Sequence, residues 1–316
     1  MLEMIATRDA YGETLVELGK QNPKVIVLDA DLSGSTKTVK FAKAFPGRFF
    51  NAGVAEQNLI GMAAGLAACG KIVFASSFAI FLTGRAWEQI RNTVTSASLN
   101  VKVVSSHGGV SVGEDGLSHQ SIEDISLMRS IAEMRVVVPA DAKETARAIR
   151  AAVDLPGPIY VRLGRAKVPV VTDESQPFKI GAAATLKQGQ DVTIIACGVM
   201  VSKALEASAL LEKQGVGARV INMHTIKPID REAVAEAARQ TGAIVTAEEH
   251  SIVGGLGSAV CEVVAEECPV PVCRIGVQDV FGQSGSPEEL FREYRLEAVD
   301  IVRAAAEALR KKAARP

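Results

Sequence analysis

Long apolar stretches are missing from this chain. No run approaches the roughly 20 consecutive residues that a membrane-spanning helix needs. Met1 to Arg8 lacks the basic-then-apolar order of a secretion signal, so a soluble, cytoplasmic protein is expected. Net charge is missing as well: 35 Lys and Arg stand against 36 Asp and Glu, a formal −1. Such a balance leaves no electrostatic footprint for nucleic acid or an anionic membrane, although a local basic site for a small anion stays open. Cysteine is sparse, with five in 316 residues. The number is odd, and the spacings of Cys69, Cys197, Cys261, Cys268 and Cys273 fit no zinc pattern. Reduced thiols acting as small core residues are expected, with Cys69 and Cys197 inside apolar runs, and no metal site is expected on this chain. There is no low-complexity segment and no convincing internal repeat.

What is present is a regular alternation of strand and helix patterns in a chain that is 48% hydrophobic. Short runs rich in β-branched residues, at 25–28, 72–75, 101–104, 135–138 and 159–162, alternate with helical patterns near 9–21, 56–69, 83–97, 123–131 and 142–153. Periodicity fades between Ala166 and Gln190, where Pro169, Pro177 and Lys179 suggest a surface linker. Strands are then expected at 192–197, 218–222, 243–247 and 270–275, and helices at 202–214, 231–240, 256–267 and 296–311. This order predicts an α/β protein of two doubly wound, mainly parallel-sheet domains, 1–170 and 190–316, joined by a linker at 171–189.

The stretch from Ser106 to Gln120 follows an expected buried strand and carries His107, His119, Glu114, Asp115 and four glycines. Open α/β sheets place ligands past the carboxyl ends of their strands, and a long loop in a compact domain is functional or disordered. Glu56, in N-A-G-V-A-E-Q-N, opens a helix, where a carboxylate is favoured by the macrodipole. Gly61, Ala64, Gly65 and Ala68 on that helix suggest close approach to another element or chain, at a cost of roughly 1 kcal/mol per glycine in helix propensity. Phe78 and Phe81 need no explanation beyond core packing, and they would also be well placed as a platform for a flat heterocycle. Arg8, Ser35, His107 and Arg165 read individually as solvated surface groups, and together as a phosphate site. Glu248-Glu249-His250 followed by Gly254-Gly-Leu-Gly257 is either a tight strand-to-helix turn or a weak phosphate motif.

Four blocks in order resemble the C-terminal half of transketolase, of the kind made as a separate subunit. They are A-T-R at 6–8 with D-A-D-L-S-G-S at 29–35, G-V-A-E-Q-N at 53–58, F-A-S-S-F-A-I-F at 74–81, and H-G-G-V-S-V-G-E-D-G-L-S-H-Q at 107–120. The likeness covers nearly the whole chain. It implies a thiamine-diphosphate enzyme whose pyrimidine-binding domain is followed by a C-terminal domain. Glu56 would hydrogen-bond N1′ of the aminopyrimidine and favour its imino tautomer, with Phe78 and Phe81 around the ring and Asp31 on the cofactor side. His119 and Asp115 would meet the sugar near the reacting carbons, with His119 catalytic alongside Glu56. Arg8, Ser35, His107 and Arg165 would hold the sugar phosphate. Two departures concern the pocket: Gly84 stands where an aromatic residue is frequent, and Leu117-Ser118 where Pro-Thr is frequent. The family holds the diphosphate through a divalent cation (Mg or Ca), using G-D-G followed downstream by Asn-Asn, and this chain has no G-D-G. The resemblance therefore implies an N-terminal partner subunit that binds the cation and the diphosphate, in an α2β2 assembly. Three other readings stay open at this level. One is another enzyme of the same architecture, a 2-oxo acid dehydrogenase β subunit or a deoxyxylulose-phosphate synthase-like protein. The second is a ketol transferase for an unusual sugar, and the third a non-catalytic scaffold.

Overall fold

A computed structural model describes residues 2–173 and 178–314. Residues 174–177 of the expected linker, Pro177 among them, lie outside the described residues, as do Met1, Arg315 and Pro316. The strands are β1 (Met4–Ala6), β2 (Val25–Asp29), β3 (Phe49–Asn51), β4 (Ile72–Phe78), β5 (Val101–Ser106), β6 (Arg135–Val137), β7 (Ile159–Arg162), β8 (Lys167–Pro169), β9 (Ala184–Lys187), β10 (Val192–Ala196), β11 (Ala218–Asn222), β12 (Thr225–Lys227), β13 (Ile244–Ser251) and β14 (Val272–Val277).

The first large sheet has the order β12-β6-β7-β5-β4-β2-β3 and the second β14-β13-β10-β11-β9. From β6 to β3 every pairing in the first sheet is parallel. The second is parallel except for β9, which runs antiparallel to β11. Val, Ile and Leu fill the central strands on both faces, as a sheet covered by helices on each side requires. The α/β class and the two mainly parallel sheets expected from the alternation are therefore present. No helix of the described residues is long and apolar enough to cross a membrane.

Five local features differ from the sequence reading. The helix expected over 83–97 is a composite: π-type turns at Phe81–Arg85 and Ile90–Thr95 flank one α turn at Trp87–Gln89. Gly84 lies inside the first π turn; such turns accommodate one residue more than an α-helix and recur at functional sites. β9 forms within the segment read as linker, and β12 leaves the second half of the chain to pair with β6 of the first sheet. Cys69, read as a core residue, is exposed, whereas Cys197 is buried, and all five thiols are free. Finally, Ala64 of the small-residue set faces the core, while Gly61, Gly65 and Ala68 form an exposed stripe.

The two sheets share one apolar core, which runs from Leu28, Ile60 and Ile90 through Val138 to Ile221, Met223 and Val260. Polar contacts cross the same boundary. The buried Glu144 carboxylate accepts from Ala140 N at 2.7 Å and from Asn222 Nδ2 at 2.9 Å. Burial pushes this carboxyl up, an effect those bonds oppose.

Candidate functional site

Because β2, β3, β4, β5 and β7 run parallel, their carboxyl ends open on one edge of the sheet, and the candidate residues collect there. Asp31 and Ser35 follow β2, Glu56 follows β3, Phe78 ends β4 with Phe81 just beyond, His107, Asp115 and His119 follow β5, and Arg165 follows β7. Arg8 joins them from the first turn of the helix Thr7–Gln21.

Aromatic rings form the spine of the site. Phe78 stacks on Phe81 with centroids 5.7 Å apart and on His107 at 3.7 Å. His119 meets Phe81 edge-on at 5.1 Å. At one end of this column lies Glu56, only 4% exposed. Its Oε1 and Oε2 are 3.1 and 3.3 Å from Arg85 Nη1, and the Arg85 guanidinium carbon stands 4.2 Å from the centre of the Phe81 ring. A planar group with N–H donors thus already rests on the Phe81 face against the Glu56 carboxylate. The aminopyrimidine of thiamine makes the same two demands, a flat stacking surface and a hydrogen-bond partner, so this end fits that ring. Arg85 is about half exposed at its side chain and can turn to solvent. A β-carbon at Gly84 would touch only Ile80 Cδ1, at 3.8 Å, so the volume an aromatic residue would take here is open.

At the other end the groups are cationic. Arg8 Nη1 donates to the Ser35 carbonyl at 3.0 Å and lies 3.4 Å from His107 Nε2. Arginine has no acceptor, so Nε2 accepts and the ring proton sits on Nδ1, which faces Ser106 Oγ at 2.8 Å. His107 holds a left-handed backbone at φ 62°, an uncommon conformation for a non-glycine residue and one often found at functional sites. Burial, then the charges of Arg8 and Arg165, lower its pKa to about 3. Arg165 Nη1 donates to Val112 O and stands 3.5 Å from Glu114 Oε2 and 3.9 Å from Asp115 Oδ2.

The structure thus links Arg8, Ser35 and His107 directly, Arg165 with Asp115, and His107 with Phe78, Phe81 and His119. Asp31 stands apart from these contacts: its carboxylate accepts from Asn51 Nδ2 at 2.8 Å. Two cationic residues were not singled out from the sequence. Arg85, four residues after Phe81, lies over the Phe81 ring and reaches Glu56. Lys37, paired with Asp9 at 3.5 Å, adds its field to that of Arg8 and Arg165 at His107. The glycine run at 254–257 is a strand-to-helix turn. The buried Glu248 carboxylate accepts from Leu256 N at 2.7 Å and Gly257 N at 2.8 Å and so occupies the helix N-terminus that a phosphate would need.

His107 provides a pH test. A histidine whose folded pKa lies below its unfolded value of about 6.5 resists protonation in the native state. Its contribution to stability is full above that value and is lost as pH falls from there toward the folded pKa. The expected result is a His107 imidazole NMR signal that does not move between pH 5 and pH 8. A midpoint near 6.5 would contradict the buried, cation-flanked setting.

Comparison with known proteins identifies the family. Residues 3–171 match the family model for the transketolase pyrimidine-binding domain, and residues 181–301 the model for the transketolase C-terminal domain. A Methanocaldococcus jannaschii protein named as a transketolase C-terminal section is 51% identical over 96% of both chains. A 6-deoxy-6-sulfo-D-fructose transketolase subunit from a Clostridium species is 44% identical over 96% of this chain and 95% of its own. The chain spans about half of whole transketolases, covering 49% of the rat enzyme at 38% identity. Among solved structures, a split-gene transketolase described as an inactive β4 tetramer superposes with a TM-score of 0.90 at 55% identity, over 98% of this chain and 100% of that one. The chain belongs to the transketolase family and carries that family's pyrimidine-binding and C-terminal domains.

Proposed function

We propose that the chain is the C-terminal subunit of a split transketolase, moving a two-carbon ketol unit from a ketose phosphate to an aldose phosphate. The observation that carries this reading is the ring column His107–Phe78–Phe81, which joins a heterocycle cradle at Glu56 to a cationic end at Arg8 and Arg165. Thiamine diphosphate, when bound, supplies the electron sink for breaking a carbon–carbon bond beside a carbonyl. Glu56 holds a proton position at N1′ of its pyrimidine, while Phe78 and Phe81 orient the ring and keep water from that face; Asp31 lies on the cofactor side. His119 and Asp115 hold the sugar near the reacting carbons, and His119 also manages a proton there. Arg8, Ser35, His107 and Arg165 take the terminal anion, the two arginines supplying fork-shaped donors suited to phosphate. A neutral His107, with its bare Nε2 turned to Arg8, contributes orientation rather than charge.

The diphosphate and its divalent cation fall to an N-terminal partner subunit that carries G-D-G, within an α2β2 assembly in the cytoplasm. Two features support a second chain over this edge. Gly61 and Gly65, exposed on the Glu56 helix, have nothing beyond their chain neighbours and their own helix backbone within 4 Å of where a β-carbon would stand. Val54, two residues before Glu56, and Leu117, two before His119, are 74% and 59% exposed. Among the described residues no three His, Cys, Asp or Glu side chains gather to hold a metal ion.

Reconstitution with the partner tests the reading. The expected result is ketol transfer from xylulose 5-phosphate to ribose 5-phosphate. The sulfosugar named for the Clostridium relative is the necessary second donor, because a terminal sulfonate offers three oxygens to the same arginines. Preference for that donor would move the substrate assignment while leaving the reaction class intact. Absence of transfer from either donor, in a stable complex with bound cofactor, would sink the assignment.

A further inference from the structure

The loop that carries His107, Asp115 and His119 is fastened from behind by the C-terminal domain. Glu249, near the end of β13, is buried, and its Oε1 accepts from the backbone N–H of Ser111, in the Val110–Val112 turn, at 2.6 Å. The Glu249 carbonyl accepts from Arg162 Nη2 at 2.9 Å, and the same nitrogen donates to Ser121 O at 3.1 Å, where the loop ends. Arg162 is pinned in turn by the buried Asp124 at 2.7 Å. Burial works against the Arg162 charge, but Asp124 and Glu249 more than offset it, so the guanidinium stays charged.

A second grip comes from the segment before the helix Pro287–Glu293. Gln120 Nε2 donates to Val110 O at 3.1 Å and Gly113 O at 3.2 Å within the loop, and to Gln283 O at 2.9 Å across the domain boundary. The fit is close on both sides, and the left-handed backbone of Gly109 favours glycine there. A β-carbon at Gly109, where φ is 89°, would run into the Glu249 carboxylate, and one at Gly282 into Gln120 Oε1. Loop and domain are therefore shaped to each other at two separate points.

We propose that the C-terminal domain is the rigid backstop of the substrate loop, with Glu249 and Gln120 as positioning residues that set where His107, Asp115 and His119 stand. The inference rests on the substrate role proposed above for those three residues. It gives the C-terminal domain a part in the reaction site that assembly alone does not. A loop with four glycines gains little rigidity from its own backbone, so the precision that sugar binding demands must come from outside it.

The test uses the reconstituted enzyme with Glu249→Ala and Gln120→Glu. The second variant keeps shape but, once ionised, loses the donor. Hydrogen exchange at residues 108–116 is expected to quicken about tenfold in both. KM for the ketose phosphate should rise about tenfold, with thiamine-diphosphate affinity unchanged. Glu249→Gln, which retains an acceptor oxygen, should restore both readings. Exchange unchanged in the variants that lose the bond would overturn the clamp itself. Faster exchange with unaltered KM would overturn the positioning role and trace the fault to the substrate reading of His107 and His119. If Glu249→Ala does not fold, Gln120→Glu carries the test alone.

Discussion

Glu56→Gln is expected to lower kcat of the assembled enzyme by about a thousandfold, within the range that positioned proton transfer supplies. Glutamine has nearly the same shape, so stacking on Phe81 and the helix that Glu56 opens should survive. It cannot gain and lose a proton, so the charge state at the pyrimidine nitrogen is no longer set by the protein. Stability should change little. The ion pair that is broken has Arg85 about half exposed, and pairs with an exposed partner contribute at most about 1 kcal/mol. Steady-state kinetics and thermal unfolding of one preparation separate the two effects. A fall in kcat of less than threefold, with the complex intact, would remove Glu56 from the proton chemistry. Glu56→Asp should fall between, because it keeps the acid but withdraws it from the ring.

The fold was legible because parallel strands buried on both faces leave an unmistakable composition. Val25–Asp29 and Val192–Ala196 are buried at every residue and read as continuous β-branched runs. Legibility failed where structure depends on partners distant in sequence. β12 is a three-residue strand whose pairing with β6 joins the two domains, and nothing within Thr225–Lys227 announces it. The run 101–104 was read as apolar although it contains Lys102, which is completely buried; its Nζ is held by Leu155 O at 2.7 Å and Gly157 O at 2.9 Å. Two carbonyls from a turn more than fifty residues away hold an amino group that local composition would place in solvent.

The site divides in the same way. Most candidate residues sit at the end of a strand of the parallel sheet or just after it, so their placement at one edge follows from order in sequence; Arg8 instead arrives from the helix after β1, which pairs antiparallel with β8. Contacts between residues distant in sequence did not. The Arg85–Glu56 pair joins the turn after β4 to the helix after β3, 29 positions away. Glu249 and the glycine run after it were read as one turn motif, yet they do separate jobs. Glu248 caps the helix Leu256–Glu267, while Glu249 points the other way, to Ser111. Alternation of side chains along a strand explains that division, since neighbours on β13 face opposite sides of the sheet.

Dependence on a second chain should be the other large effect. On the function proposed above, this chain supplies only a ring-binding end, and it has no G-D-G to place a cation against the diphosphate. Charge-assisted contacts to a diphosphate are worth about 1.5–3 kcal/mol each, so losing two of them costs at least a hundredfold in affinity. The most direct measurement is calorimetric titration of thiamine diphosphate with Mg²⁺ into this chain, into a partner carrying G-D-G and Asn-Asn, and into their equimolar mixture. Stoichiometric binding in the mixture, at least a hundredfold tighter than to either chain alone, is the predicted result. Binding to this chain alone with the affinity of the mixture would contradict a cofactor site shared between two subunits.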